Sequence, residues 1–128
     1  MSAPAPQYVY RAALVRAVDG DTCVLRIDLG CFVAIVRPCR LLGVNTPEVV
    51  GATKAAGLAA RTFALAWFAA SDLTAWPLVV ATSLDRNDKY GRLLVEVWRT
   101  SDGACLNDDL VAVGQAVAWD GRGARPGG

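Results

Sequence analysis

In the stretch RLLGVNTPE, residues 40–48, an arginine, a turn and a lone carboxylate stand close enough to do chemistry. Arg40 closes a strand-like run. Gly43, Asn45 and Pro47 turn the chain. Glu48 is one of two glutamates in the sequence. As chemistry, Arg40 would meet a phosphate oxygen, Asn45 and the backbone carbonyl of Thr46 would offer neutral oxygen ligands, and Glu48 would hold a water. As plain structure, it is a strand end and a proline-stiffened turn with both charges solvated. The stretch alone does not decide between them.

Two more stretches bear on the choice. In VDGDT, residues 18–22, Asp19 serves an Asp-Gly turn. The turn does not require Asp21, which projects from the start of the next strand, where carboxylates hold Mg²⁺ or Ca²⁺. In DKYGR, residues 88–92, Gly91 suits a left-handed loop residue, and Arg92 enters a strand directly after it. A second arginine aimed at the phosphate held by Arg40 would make a clamp. Phosphodiester hydrolysis builds charge on the equatorial oxygens of a five-coordinate phosphorus, and two guanidiniums with a divalent cation would stabilise it.

Composition narrows the chemistry. The 128 residues suit one domain, and 54% hydrophobic content supplies a core. No histidine is present, so imidazole bases and ligands are excluded. Acid–base work falls to carboxylate, lysine, tyrosine or cysteine. Net charge is +1, so any basic patch for a polyanion must be local. Eleven of the thirteen cations are arginine, whose planar fork suits phosphate. Cys23, Cys31, Cys39 and Cys105 form no CxxC pair, which argues against a zinc ribbon and for small buried hydrophobes in a reducing compartment.

The elements that must position these residues read as follows. Residues 1–7 form a flexible arm without the features of a secretory leader, so a cytoplasmic location is expected. Strands are predicted over 8–18, 22–29 and 32–42. The second alternates Cys23, Leu25, Ile27 and Leu29 against Val24, Arg26 and Asp28. Pro38 suggests an edge or bulge in the third. Residues 54–70 read as a helix with Leu58, Thr62, Leu65 and Ala69 on one face. No stretch is long and apolar enough to span a membrane. Strands follow over 78–84 and 92–99. Asn107 is expected to cap a short helix to Val113, residues 116–119 to form a short extension, and residues 120–128 a disordered tail. This order matches a five-stranded OB-fold β-barrel with helices, an α+β class, over residues 8–119.

The runs VDGDTCVLRIDLG, VRPCRLLGVNTPE, DKYGRLLVEVW and LNDDLVAVGQA together closely resemble the staphylococcal-nuclease-like, or thermonuclease, family, over about residues 9–119. The resemblance implies the same OB barrel. It also implies a Ca²⁺-dependent phosphodiesterase, with Mn²⁺ or Mg²⁺ as other candidate ions, that cleaves DNA and RNA with water and leaves 3′-phosphate ends. On it, Arg40 and Arg92 are phosphate-binding arginines and Glu48 is the catalytic glutamate. Asp21 and the Thr46 carbonyl are calcium ligands, and Asp19 is a nearby acid. Lys89 and Tyr90 contact the terminal phosphate of a nucleotide.

Three departures stand out. Asn45 replaces the second calcium carboxylate. The loop VVGATK is short. The tyrosine that stacks on the nucleotide has no match, Asp120 falling there beside Trp119. The implied partner is single-stranded DNA, RNA or unwound duplex, and a monomer is expected. The alternative is the same barrel binding nucleic acid or protein without cutting. A further reading makes Trp67, Phe68 and Trp76 an exposed apolar contact patch on the helix side, and the plainer alternative, which the residues favour, is a helix simply packed on the barrel.

Overall fold

The alternation in the second strand sets the inside of the fold. The computed structural model describes residues 2–84 and 91–119. Strand β1 spans Val9–Ala17, β2 Thr22–Gly30 and β3 Val33–Leu41. In β2, Cys23, Leu25 and Ile27 are at most 3% exposed, while Val24, Arg26 and Asp28 face outward. A two-residue strand β4, Val44–Asn45, follows. After a single 3₁₀ turn at Gly51–Thr53 come helix α1, Lys54–Ala69, and strands β5, Leu78–Leu84, and β6, Leu93–Arg99. Helix α2, Leu106–Ala112, and β7, Val117–Ala118, complete the described chain.

The five long strands close into a barrel in the order β1-β2-β3-β6-β5. This is the expected OB-like α+β architecture. All neighbours are antiparallel except β3 and β6, which run parallel through Cys39↔Leu93, Arg40↔Leu94 and Leu41↔Val95. Pairing to β6 starts just after Pro38, so the proline sits on an open edge where its missing N–H costs nothing. Leu25, Leu78, Val80, Val95 and Val97 fill the interior without exposure.

Two helix expectations need correcting. The buried stripe of α1 is Gly57, Ala60, Ala64, Trp67 and Phe68, at helical spacing. Leu58 and Leu65 point outward, 40% and 43% exposed. Small residues at 57, 60 and 64 let the helix lie close to the barrel, and larger residues on that side would hold it off. Trp67 and Phe68 are therefore not an exposed patch: they meet edge to face at 5.3 Å, and the Trp67 indole donates to Asp109 at 2.9 Å. Asn107 does not cap α2; the cap position is Cys105. The Asn107 side chain turns into the barrel instead. Its oxygen accepts from Val97 N at 3.1 Å, and its amide donates to the carbonyls of Leu42 and Val95 at 2.9 and 3.0 Å. It thereby satisfies backbone groups that the end of the β3–β6 ladder leaves over.

Cys23, Cys39 and Cys105 are buried as expected, whereas Cys31, expected to be buried with them, is exposed because it lies on the turn between β2 and β3. Residues 2–7 carry no regular structure. No helix among the described residues is long and apolar enough to cross a membrane. The tail at 120–128 lies outside the described residues.

Candidate active site

Asp21 follows the tight turn between β1 and β2. Gly20 makes that turn fit: a Cβ there would stand 2.8 Å from the Ala60 Cβ and 2.9 Å from the Thr46 methyl. The missing side chain lets the Asp21 turn, α1 and Thr46 meet in one place. Asp21 is 3% exposed. Its Oδ2 accepts from Thr46 N at 2.9 Å, and its Oδ1 accepts from the Thr22 hydroxyl at 3.1 Å.

Arg40 stands opposite Thr22 across the β2–β3 ladder. Its Nη1 lies 2.6 Å from Asp21 Oδ2, an ion pair in which both side chains are nearly buried. No Nη1 hydrogen aligns on an acceptor, so that contact is electrostatic. Nη2 donates to the Val44 carbonyl at 3.1 Å and to Asn45 Oδ1 at 3.2 Å. The guanidinium also lies over the Trp119 ring at 5.7 Å. A buried charge is tolerated because a carboxylate, an amide, a carbonyl and a ring surround it.

Asn45 and Thr46 are each 2% exposed. They are held from the far end of the chain. Strand β4 pairs with β7 through Val44↔Ala118 and Asn45↔Val117, and Trp119 N donates to the Gly43 carbonyl at 2.9 Å. Glu48 lies on the exposed turn beyond. Its backbone carbonyl accepts from the Thr53 hydroxyl at 2.9 Å and is pressed by Gly57 of α1. Arg92 is half-buried just ahead of Leu93, which pairs with Cys39, so the β3–β6 ladder carries Arg92 to the strand end that bears Arg40. Asp19 is half-buried on the β1–β2 turn, its N–H bonded to the Thr22 carbonyl at 3.0 Å. Lys89 and Tyr90 lie outside the described residues.

The donors near Asp21 suit a hard cation in kind. Asp21, Asn45 and Thr46 offer oxygen alone, the preference of Ca²⁺ and Mg²⁺. Thr46 Oγ1 is buried with no hydrogen-bond partner, a polar atom for which a cation's shell would provide one. Their charge is low, however. Among the described residues no three acidic or thiol side chains gather as a metal cluster. Arg40 already shares the oxygens of Asp21 and Asn45, so a cation there would compete with a guanidinium.

Sequence reasoning overlooked four contributors. Gly57 and Gly20 act through the absence of a side chain, for which one sequence gives no signal beyond the residue type. The β4–β7 pair is too short for a period. Trp119 shows in the sequence as an aromatic next to the missing tyrosine, but its place over Arg40 follows from that pairing.

A family model described as staphylococcal nuclease homologue matches residues 38–125. The match takes in Arg40, Asn45, Thr46, Glu48 and Arg92; Asp19 and Asp21 precede it. No curated protein matches the chain.

Proposed function

The chain belongs to the staphylococcal nuclease homologue family, and from that premise we propose that it is a Ca²⁺-dependent nuclease. It hydrolyses phosphodiester bonds of DNA, RNA or both, with water as nucleophile, and leaves 3′-phosphate ends. The observation that carries this reading is the buried pairing of Arg40 with Asp21 and Asn45, three residues ahead of the exposed Glu48.

In this reading Asp21, Asn45 and the Thr46 carbonyl hold the ion, which when bound supplies positive charge against the phosphorane oxygens. Arg40 and Arg92 bind those oxygens, and a substrate phosphate competes with Asp21 for the Arg40 guanidinium. The Glu48 carboxylate accepts a proton from the attacking water. Asp19 tunes the field from outside the ligand set. Lys89 and Tyr90 contact the terminal phosphate.

The test is cleavage of labelled single-stranded DNA with Ca²⁺, Mn²⁺ or Mg²⁺. Wild type should degrade it with at least one ion, and Glu48→Gln and Arg92→Gly should each slow it by roughly two orders of magnitude or more. A wild type inert with all three, or Glu48→Gln as fast as wild type, would overturn the reading. Asn45 favours a second one, a barrel that binds strands without cutting, because it brings no charge to the cation. Oligonucleotide binding without cleavage under every ion would select it.

A further inference from the structure

A net charge of +1 hides an uneven surface. The β1–β2 register sets Arg11 opposite Asp28, Ala13 opposite Arg26 and Arg16 opposite Val24. The β2–β3 register sets Arg26 opposite Val36 and Thr22 opposite Arg40. Opposed residues share a face of the sheet, and so do residues two apart along a strand. The bulge between Leu14 and Arg16 keeps Arg16 on the outer side. Arg11, Arg16 and Arg26 are thus exposed on one outer face, with the buried Arg40 at its edge, while Cys23, Leu25 and Ile27 fill the barrel behind it. Asp28 is the one acidic residue in these three strands.

The face has a distinct end. Beyond Arg11 and Asp28 it runs into a groove of about 480 Å³, lined also by Trp76 and Phe32. The Arg26 guanidinium lies 4.5 Å from the centre of the Trp76 ring, and that of Arg11 lies 5.7 Å from it. Phe32 is fully exposed. It sits in the two-residue turn Cys31–Phe32, where both residues are left-handed, φ 55° and 62°. Such turns normally take Asn-Gly, so a bulky ring there is an unusual way to end a hairpin.

We infer that the outer face of β1–β3 is a track for a single-stranded polynucleotide, running from Arg40 to the groove at Trp76 and Phe32. Arg11, Arg16 and Arg26 against the one carboxylate of Asp28, which pairs with Arg11 at 2.6 Å, leave the face net positive, as a phosphate chain requires. Guanidinium planes and an exposed ring stack on any unpaired base, a surface that a duplex with its bases stacked inside cannot use. From Arg40 back to Ala34, β3 covers about 20 Å at ~3.3 Å per residue. That suits the low end of the 4–16 nucleotides an OB fold typically holds. The inference rests on the nuclease reading only in taking Arg40 as the point where the strand enters the site.

The experiment compares oligothymidylates of 4 and 12 nucleotides by fluorescence anisotropy in EDTA, where the strand stays intact. The 12-mer should bind roughly a hundredfold or more tighter than the 4-mer, about tenfold of that from its greater number of registers and the rest from base stacking beyond the site. The double variant Arg11→Ala/Arg26→Ala should lose most of that gain. Its slope of log affinity against log salt should be shallower by about 1.4, two contacts at ~0.7 each. Phe32→Ala should weaken the 12-mer about fivefold or more, as loss of one stacked base does. Arg26→Lys, which keeps the charge and a folded strand, should weaken it less than Arg26→Ala. Cleavage of the 4-mer with Ca²⁺ should be unchanged in all four variants. A gain of no more than about tenfold, the register count alone, or a double variant that binds the 12-mer like wild type, would overturn the track and leave the face to a partner such as a protein. A length gain without cleavage by wild type would uphold the track while removing the nuclease reading.

Discussion

Gly57 of α1 packs directly on the backbone carbonyl of Glu48, so closely that a Cβ at residue 57 would overlap both atoms of that carbonyl. The helix thus fixes where the Glu48 turn lies. It does so through a missing side chain, so the contact resists every substitution in the same way. A mid-helix glycine ordinarily gives up about 1 kcal/mol relative to alanine. Gly57→Ala should nevertheless destabilise the fold by about 1–3 kcal/mol, the usual range for forcing a group into a filled site. Cleavage should fall at least tenfold, as roughly 1 Å displacements of catalytic groups do. Urea unfolding and initial rates check the two effects. A variant more stable than wild type at full rate would show that the contact positions nothing.

Asn45→Asp changes the charge of the cation donors while keeping their shape. Affinity for Ca²⁺ tracks the number of charged ligands. Calorimetric titration should therefore show binding about tenfold tighter, a shift of the size a single added carboxylate gives. The new carboxylate also faces Arg40 Nη2, which now donates to Asn45 at 3.2 Å. The variant should thus fold at least as stably as wild type without metal. Unchanged or weaker Ca²⁺ binding would exclude residue 45 from the donor set.

Asn107 links three backbone groups around the β3–β6 junction and α2. Asn107→Ala takes the partner from the buried Val97 N–H and the part-buried Leu42 carbonyl, while the Val95 carbonyl keeps Leu42 N at 2.8 Å. Each unmet group costs about 1–3 kcal/mol. A loss of about 2–4 kcal/mol is expected, read from the denaturant midpoint at constant m-value. A loss under about 1 kcal/mol would mean that water replaces the amide at no cost.

The thiols separate by burial. Burial pushes the Cys39 thiol up to about 11. Burial first, then the neighbouring Cys39 and Asp21, raises the Cys23 thiol further still. A disulfide reagent at pH 8 should modify the exposed Cys31 rapidly and the buried thiols only after unfolding, when all four react. The linkage has a definite sign. Unfolded thiols ionise near ~8.5, whereas the folded barrel keeps these two protonated, so the folded state binds more protons above that pH. Stability should fall as pH rises from about 8.5 towards 11, and Cys39→Ala should flatten the decline. A stability that rises across that window would refute the assignment.

The fold was legible wherever a period was long enough to carry information. The alternation from Thr22 to Asp28, the strand Leu78–Leu84 and the span of α1 follow from pattern, but Leu29, expected inside with Ile27, is 38% exposed where the strand runs out into its turn. The orientation of α1 was misread because leucines mark an apolar face more loudly than glycine and alanine. Close approach decided the matter, and Gly57, Ala60 and Ala64 turned inward. Asn107 reads as a cap because its type suits one, while the long-range need of the β3–β6 junction claims it. In the candidate site, residue types and order named Asp21, Arg40, Asn45, Thr46 and Glu48. They did not show that Arg40 folds inward onto Asp21 and Asn45. That contact depends on β4 being drawn against β7, a pairing across some seventy residues that no local window contains.

That same pairing sets an order on synthesis. A chain leaving the ribosome can form the β1–β2–β3 meander early, since its turns are local. The clasp of β7 on β4, with Trp119 over Arg40, waits for residues 117–119 to emerge. Until then the surroundings of Arg40 are unfinished, though every catalytic candidate has already been translated. Whatever binds at Arg40 therefore meets its finished surroundings only once residue 119 has been made.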